Sequence, residues 1–70
     1  MMPLNYAEPG QPQIIKRIGG SPEIKKHLED LGFTVGGEVS VVSTLAGNVI
    51  VKVKESRIAV SDELARKIMV

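Results

Sequence analysis

Seventy residues leave room for one small hydrophobic core and none for a separate catalytic lobe. Nine Lys and Arg against eight Asp and Glu give a net charge of +1, and one Phe, one Tyr and no Trp leave almost no platform for stacked bases, so no nucleic-acid partner is expected. With no cysteine, disulfides, thiolate zinc sites and thiol nucleophiles are excluded together, and stability must come from packing or association.

Of the 30 hydrophobic residues 16 are Val or Ile, whose branched side chains fit a pleated surface better than a helix, so the expected class is mainly β. Met1 to Pro12 carries three of the four prolines and reads as an extended lead-in without regular structure, anchored by Leu4 and Tyr6. Gln13 to Ile18 reads as one strand, with Ile14 and Ile18 on one face and Ile15 on the other, stopped by Gly19-Gly20. Ser21-Pro22-Glu23 then opens an α-helix over about 21–31. Ser21 is placed to cap it, Pro22 suits the first helical position, and Gly32 suits a left-handed residue just past its end. Within it Ile24, His27, Leu28 and Leu31 follow the spacing of one buried face.

Val35-Gly36-Gly37 is a turn, and Glu38 to Ser43 a strand with Val39 and Val41 inward. After a tip at Leu45-Ala46-Gly47-Asn48 the chain returns through Lys54, with Val49, Val51 and Val53 on one face and Lys52 and Lys54 on the other. Glu55-Ser56 turns it again into Arg57 to Val60, completing an antiparallel meander. From Ser61 onward the spacing fits either a short helix through Ile68 or one helical turn followed by a terminal strand. Five or six short strands and one helix bury themselves most economically as a small barrel closed on itself, one domain over 1–70. No apolar run approaches a membrane span, and Met1 to Gly10 lacks the basic start and apolar middle of a signal peptide. The chain is therefore expected not to be membrane-inserted, and the lack of cysteine fits the cytoplasm.

Two segments carry a family resemblance: the L-x-x-L-G-F-x-x-G-x-x-V-x-V run from Leu28 to Val41, and the I-A-V-x-x-x-x-A-x-x-I-x-V run from Ile58 to Val70. Their order and spacing resemble the ferrous iron transport protein A family, FeoA, across the chain from about Leu4 to Val70. The resemblance implies an SH3-like barrel with an inserted helix. It also favours a helical turn over about 62–66 and a last strand from Lys67. It further implies a cytoplasmic accessory role in bacterial ferrous iron uptake, reached by protein–protein interaction with the FeoB-type GTPase-linked membrane permease. The same module forms the C-terminal domain of iron-dependent repressors, which implies the alternative of a free-standing regulatory module that binds a protein, peptide or nucleic acid. The chain departs from the family at Val35 and Val49, where Pro is common, and near Glu55-Ser56, where a Gly is frequent.

The residues that match are glycines and core aliphatics, none of them a reacting group, and no cofactor or enzymatic activity is expected. Ser21 has a capping job and no histidine near it in sequence, and Gly36-Gly37 lacks the Lys-Ser/Thr of a phosphate loop. His27 lies one helical turn from Glu23, a spacing that can bring two metal ligands together. Iron, however, needs more ligands than this helix supplies, so His27 reads as a boundary residue at the edge of the buried face, or as a neighbour of Glu23, before the pair reads as a site. Lys52, Lys54 and Arg57 share one side of the meander, as a solvated face or as a surface for an acidic partner. Leu45 and Ala46 are apolar at a hairpin tip, which suits either a docking contact or packing back onto the barrel rim. Exposed strand edges and a small core leave self-association open.

Overall fold

The structure is a computed structural model and describes residues 1–70. A 3-10 turn at Leu4–Tyr6 is followed by strands β1 (Pro12–Ile14) and β2 (Arg17–Ile18), helix α1 (Pro22–Asp30), and a meander of β3 (Glu38–Leu45), β4 (Asn48–Val53) and β5 (Ser56–Ser61). One helical turn, α2 (Asp62–Ala65), leads into β6 (Ile68–Met69). Strands β1-β3-β4-β5 form one antiparallel sheet and β2-β6 a second. The fourteen buried residues, all apolar, form a single cluster between the sheets.

The meander follows its period-two pattern: Val39, Val41, Val49, Val51, Val53 and Val60 all point inward and are buried. Strand β3 runs two residues further than its predicted end at Ser43, and β4 stops at Val53, one residue short of Lys54. A β-bulge between Val41 and Ser43 adds one residue to β3, and Val42 is the extra one. The parity of the strand reverses there. Leu45 shares the odd-numbered register of Val39 and Val41, yet beyond the bulge it stands opposite Asn48 on the outer face.

The first predicted strand, Gln13 to Ile18, is two strands belonging to different sheets. At Ile15 the backbone leaves β3 and bonds to the Gly36–Gly37 turn (Ile15 N–H to Gly37 O 2.9 Å; Gly36 N–H to Ile15 O 2.7 Å). The next residue, Lys16, already donates to Met69 O at 2.8 Å. Ile15 is thereby buried while Ile14, its neighbour, is 50% exposed.

The lead-in also differs from expectation. Leu4 is an anchor, fully buried, but Tyr6 is 69% exposed and Ala7 takes the inner position instead. The segment is not irregular: it carries the 3-10 turn, and Pro3 bridges Met69. Met2 and Val70 exchange both backbone hydrogen bonds at 2.8 Å, so the backbone at positions 2–3 lies antiparallel beside that at 69–70.

Helix α1 begins and ends as its sequence dictates. The Ser21 Oγ accepts from the Ile24 N–H at 3.3 Å and Pro22 opens the first turn. At the other end Phe33 N–H donates to Leu28 O (3.0 Å) and Gly32 N–H to Glu29 O (2.9 Å), the paired bonds of a Schellman motif, with Gly32 at φ +108°. The buried Leu28 and Phe33 supply the apolar contact that accompanies it. Ser21→Ala is expected to cost about 1 kcal/mol, lowering the melting temperature by roughly 4–8 °C, readable by circular dichroism.

His27 does not lie on the buried face, where its spacing had placed it; it is exposed. At 3.6 residues per turn it sits roughly 70° from the centre of the stripe formed by Ile24, Leu28 and Leu31. Only Leu28 of that stripe is fully buried, so the covered face of this helix is too narrow to reach His27.

Candidate functional site

Glu23 and His27 are both exposed on α1, and no group of three or more His, Cys, Asp or Glu side chains gathers anywhere in the molecule. The helix therefore presents two ligand types without the further ones that a stable ferrous site takes.

The outer face of the large sheet brings more together. Register sets Pro12, Ser40, Lys52 and Arg57 in one row across all four strands. Lys52 thus stands directly opposite Arg57, a like-charged pair on adjacent strands. The one ion pair in the molecule, Arg66 Nη2 to Asp62 Oδ2 at 2.8 Å, lies elsewhere, so neither cation is neutralised within the chain. Lys54 is in the β4–β5 turn rather than in a strand, with φ +56°. It still joins Lys52, Glu38, Ser40 and Pro12 in lining an open cleft of about 290 Å³.

Further along the same face the rows change character. Ser43, Ile50 and Ala59 form the next row, followed by Leu45, Asn48 and Ser61. Leu45 is 67% exposed, which answers the question left by the sequence: it does not pack back onto the rim. The bulge in β3 is the cause, since uninterrupted alternation would point residue 45 inward.

The tip itself is a two-residue loop in which both Ala46 (φ +50°) and Gly47 (φ +79°) are left-handed, the backbone signs of a type I′ turn. Glycine takes that conformation freely and alanine does not. Ala46→Asn is expected to stabilise the protein by about 0.5–1 kcal/mol, seen as a higher urea midpoint at unchanged slope.

Lys52, Arg57 and Leu45 thus share one face of the sheet, with a basic region at one end and, with Ala46 in the adjoining loop, an apolar tip at the other, joined by Ile50 and Ala59. Ile50 and Ala59 were not singled out from sequence; their membership follows from register alone. The signal available beforehand was strict alternation in the returning strand, which puts residue 50 on the side of Lys52.

A small mainly β barrel with an inserted capped helix and this strand order has an SH3-like fold. A solved manganese-dependent transcriptional repressor contains it (TM-score 0.83, 18% identity, 93% of this chain and 38% of the repressor). The protein ScaR, solved with bound Cd²⁺, does too (TM-score 0.85, 18% identity, 97% and 33%). Two solved proteins match at 28% identity. One is a crystal structure of an iron uptake regulatory protein, FeoA, at TM-score 0.87 over 96% of this chain and 89% of that one. The other is the solution structure of iron(II) transport protein A from Clostridium thermocellum, at TM-score 0.88 over 97% and 43%. A Methanocaldococcus jannaschii protein named Fe(2+) transport protein A is 36% identical over 70 residues, all of this chain and 85% of its own length. The FeoA domain model matches residues 2–70, and the chain belongs to the FeoA domain family.

Proposed function

We propose that this chain is a cytoplasmic accessory protein of ferrous iron uptake that acts by docking on the cytoplasmic part of a FeoB-type permease. Family membership supports the pathway, and one observation supports docking: the β3 bulge holds Leu45 out in solvent at the end of a face that also carries unpaired cations. No helix of the molecule is long and apolar enough to cross a membrane. The geometry gives each part a role. Leu45 and Ala46 form a small apolar anchor whose burial would supply affinity, and Lys52, Lys54 and Arg57 would orient the contact against an acidic surface. The face holds no convergent acid, base and nucleophile, so its chemistry is recognition.

Calorimetric titration against the cognate permease's cytoplasmic region checks the reading. Saturable binding is expected, weakened at least about thirtyfold by Leu45→Asp, the loss of an anchor worth roughly 2 kcal/mol. Binding indifferent to Leu45→Asp moves the contact off the tip. Absence of binding by the wild-type chain overturns the adaptor reading and leaves the free-standing regulatory module as the alternative.

A further inference from the structure

The large sheet ends on two strands that are protected very differently. Strand β1 is three residues long and contains Pro12, which has no N–H to offer. Strand β5 is six residues long, Ser56-Arg57-Ile58-Ala59-Val60-Ser61, and carries no proline, no lysine and no bulge. It has a strand on one side only, and no other backbone group in the molecule bonds to it.

The two-residue connections fix which groups face outward. Val53 and Ser56 close the β4–β5 turn as a hydrogen-bonded pair, so bonding to β4 alternates through Ile58 and Val60. The N–H and C=O of Arg57 and Ala59 therefore point away from the sheet. The side chains of both are exposed on its outer face.

Charge along this edge is asymmetric. Arg57, with Lys52 opposite it, marks one end, and Asp62 and Glu63 follow immediately after Ser61 at the other. An antiparallel copy of the same strand brings unlike ends together twice, and a parallel copy would bring like ends together. We propose that the free edge of β5 is a self-pairing surface for a second copy of this chain, antiparallel and centred on Ala59. In that register Arg57 faces Ser61 of the second copy, beside its acidic turn, and the Lys52–Arg57 cation pair comes near the exposed Glu63 carboxylate, Asp62 being held already by Arg66 and Asn5. Ala59 faces itself across the two-fold axis as a hydrogen-bonded pair, where a methyl group fits without clash. The two four-stranded sheets become one continuous sheet, and the outer faces of both copies lie on the same side.

Sedimentation equilibrium on the intact chain tests this from micromolar to millimolar concentration. A reversible monomer–dimer equilibrium is expected. Ala59→Lys and Ala59→Asp each set like charges face to face on the axis and should each weaken it at least about tenfold. Mixed in equal amounts, the two variants should dimerise again, because opposite charges then meet. Residue 59 is exposed, so neither variant disturbs the core, and amide spectra verify the fold. In the wild type, exchange of the Arg57 and Ala59 N–H groups should slow as concentration rises. A wild type monomeric at millimolar concentration, a dimer unaffected by either variant, a mixture no better than its components, or Arg57 and Ala59 exchange that ignores concentration would each overturn the proposal. None of these outcomes bears on permease docking, which is read separately.

Discussion

Phe33→Ala is expected to remove about a third or more of the folding stability. Phe33 is fully buried and is the only Phe in the chain, so no other large ring shares its load. Truncating a buried Phe costs about 3–5 kcal/mol, against a total stability of roughly 3.5–10 kcal/mol for a chain this long at typical values per residue. The loss is compounded locally. Phe33 donates the backbone bond that closes α1 onto Leu28, and its ring packs where that closure needs an apolar contact. Far-UV circular dichroism during urea titration should show the transition displaced toward zero denaturant. Phe33→Leu, which keeps most of the volume, should remain folded with a loss nearer 1.5 kcal/mol. A Phe33→Ala protein with a near-native midpoint would mean that the core closes over the void.

Ile15→Asp and Ile14→Asp are expected to differ by several kcal/mol although they are adjacent in sequence. Ile15 is 1% exposed and no cation faces it in the all-apolar core, so its replacement buries an unpaired carboxylate. Ile14 points outward on β1 opposite Glu38, and its replacement should stay within about 1 kcal/mol of wild type, the like-charge neighbour included. Parallel urea titrations read the contrast directly. Equal losses at both positions would contradict the sheet change at Ile15.

That contrast also shows where the sequence stops being informative. The valine meander was legible because each strand repeats its inward pattern with a near neighbour, and α1 was legible because Ser21, Pro22 and Gly32 act within one turn of it. The crossing from β1 to β2 was not. Ile14, Ile15 and Ile18 fit a single strand locally, and only the distant Gly37 and Met69 divide them. The 3-10 turn and the exposure of Tyr6 depend likewise on where the last strand lies, and the position of β6 came from family resemblance rather than from spacing. His27 was misplaced because a nine-residue helix lying on a barrel covers less of its circumference than a helix in a layered fold. At the candidate site, Lys52 and Arg57 could be placed on one side by parity alone. Leu45 could not, because a bulge leaves no mark in the pattern of apolar residues.

The pairing of Met2 with Val70 has a kinetic consequence. It joins positions 2 and 70, so its loop closure spans every element from β1 to β6, whereas each hairpin of the meander closes over two residues. The meander can nucleate early, and this seam is the natural last event of folding and first of unfolding. Weakening it should speed the opening of the barrel while scarcely touching the rate at which it forms. The lifetime of the closed state is then governed at the seam, far along the chain from the hairpin tip on which recognition is proposed to rest.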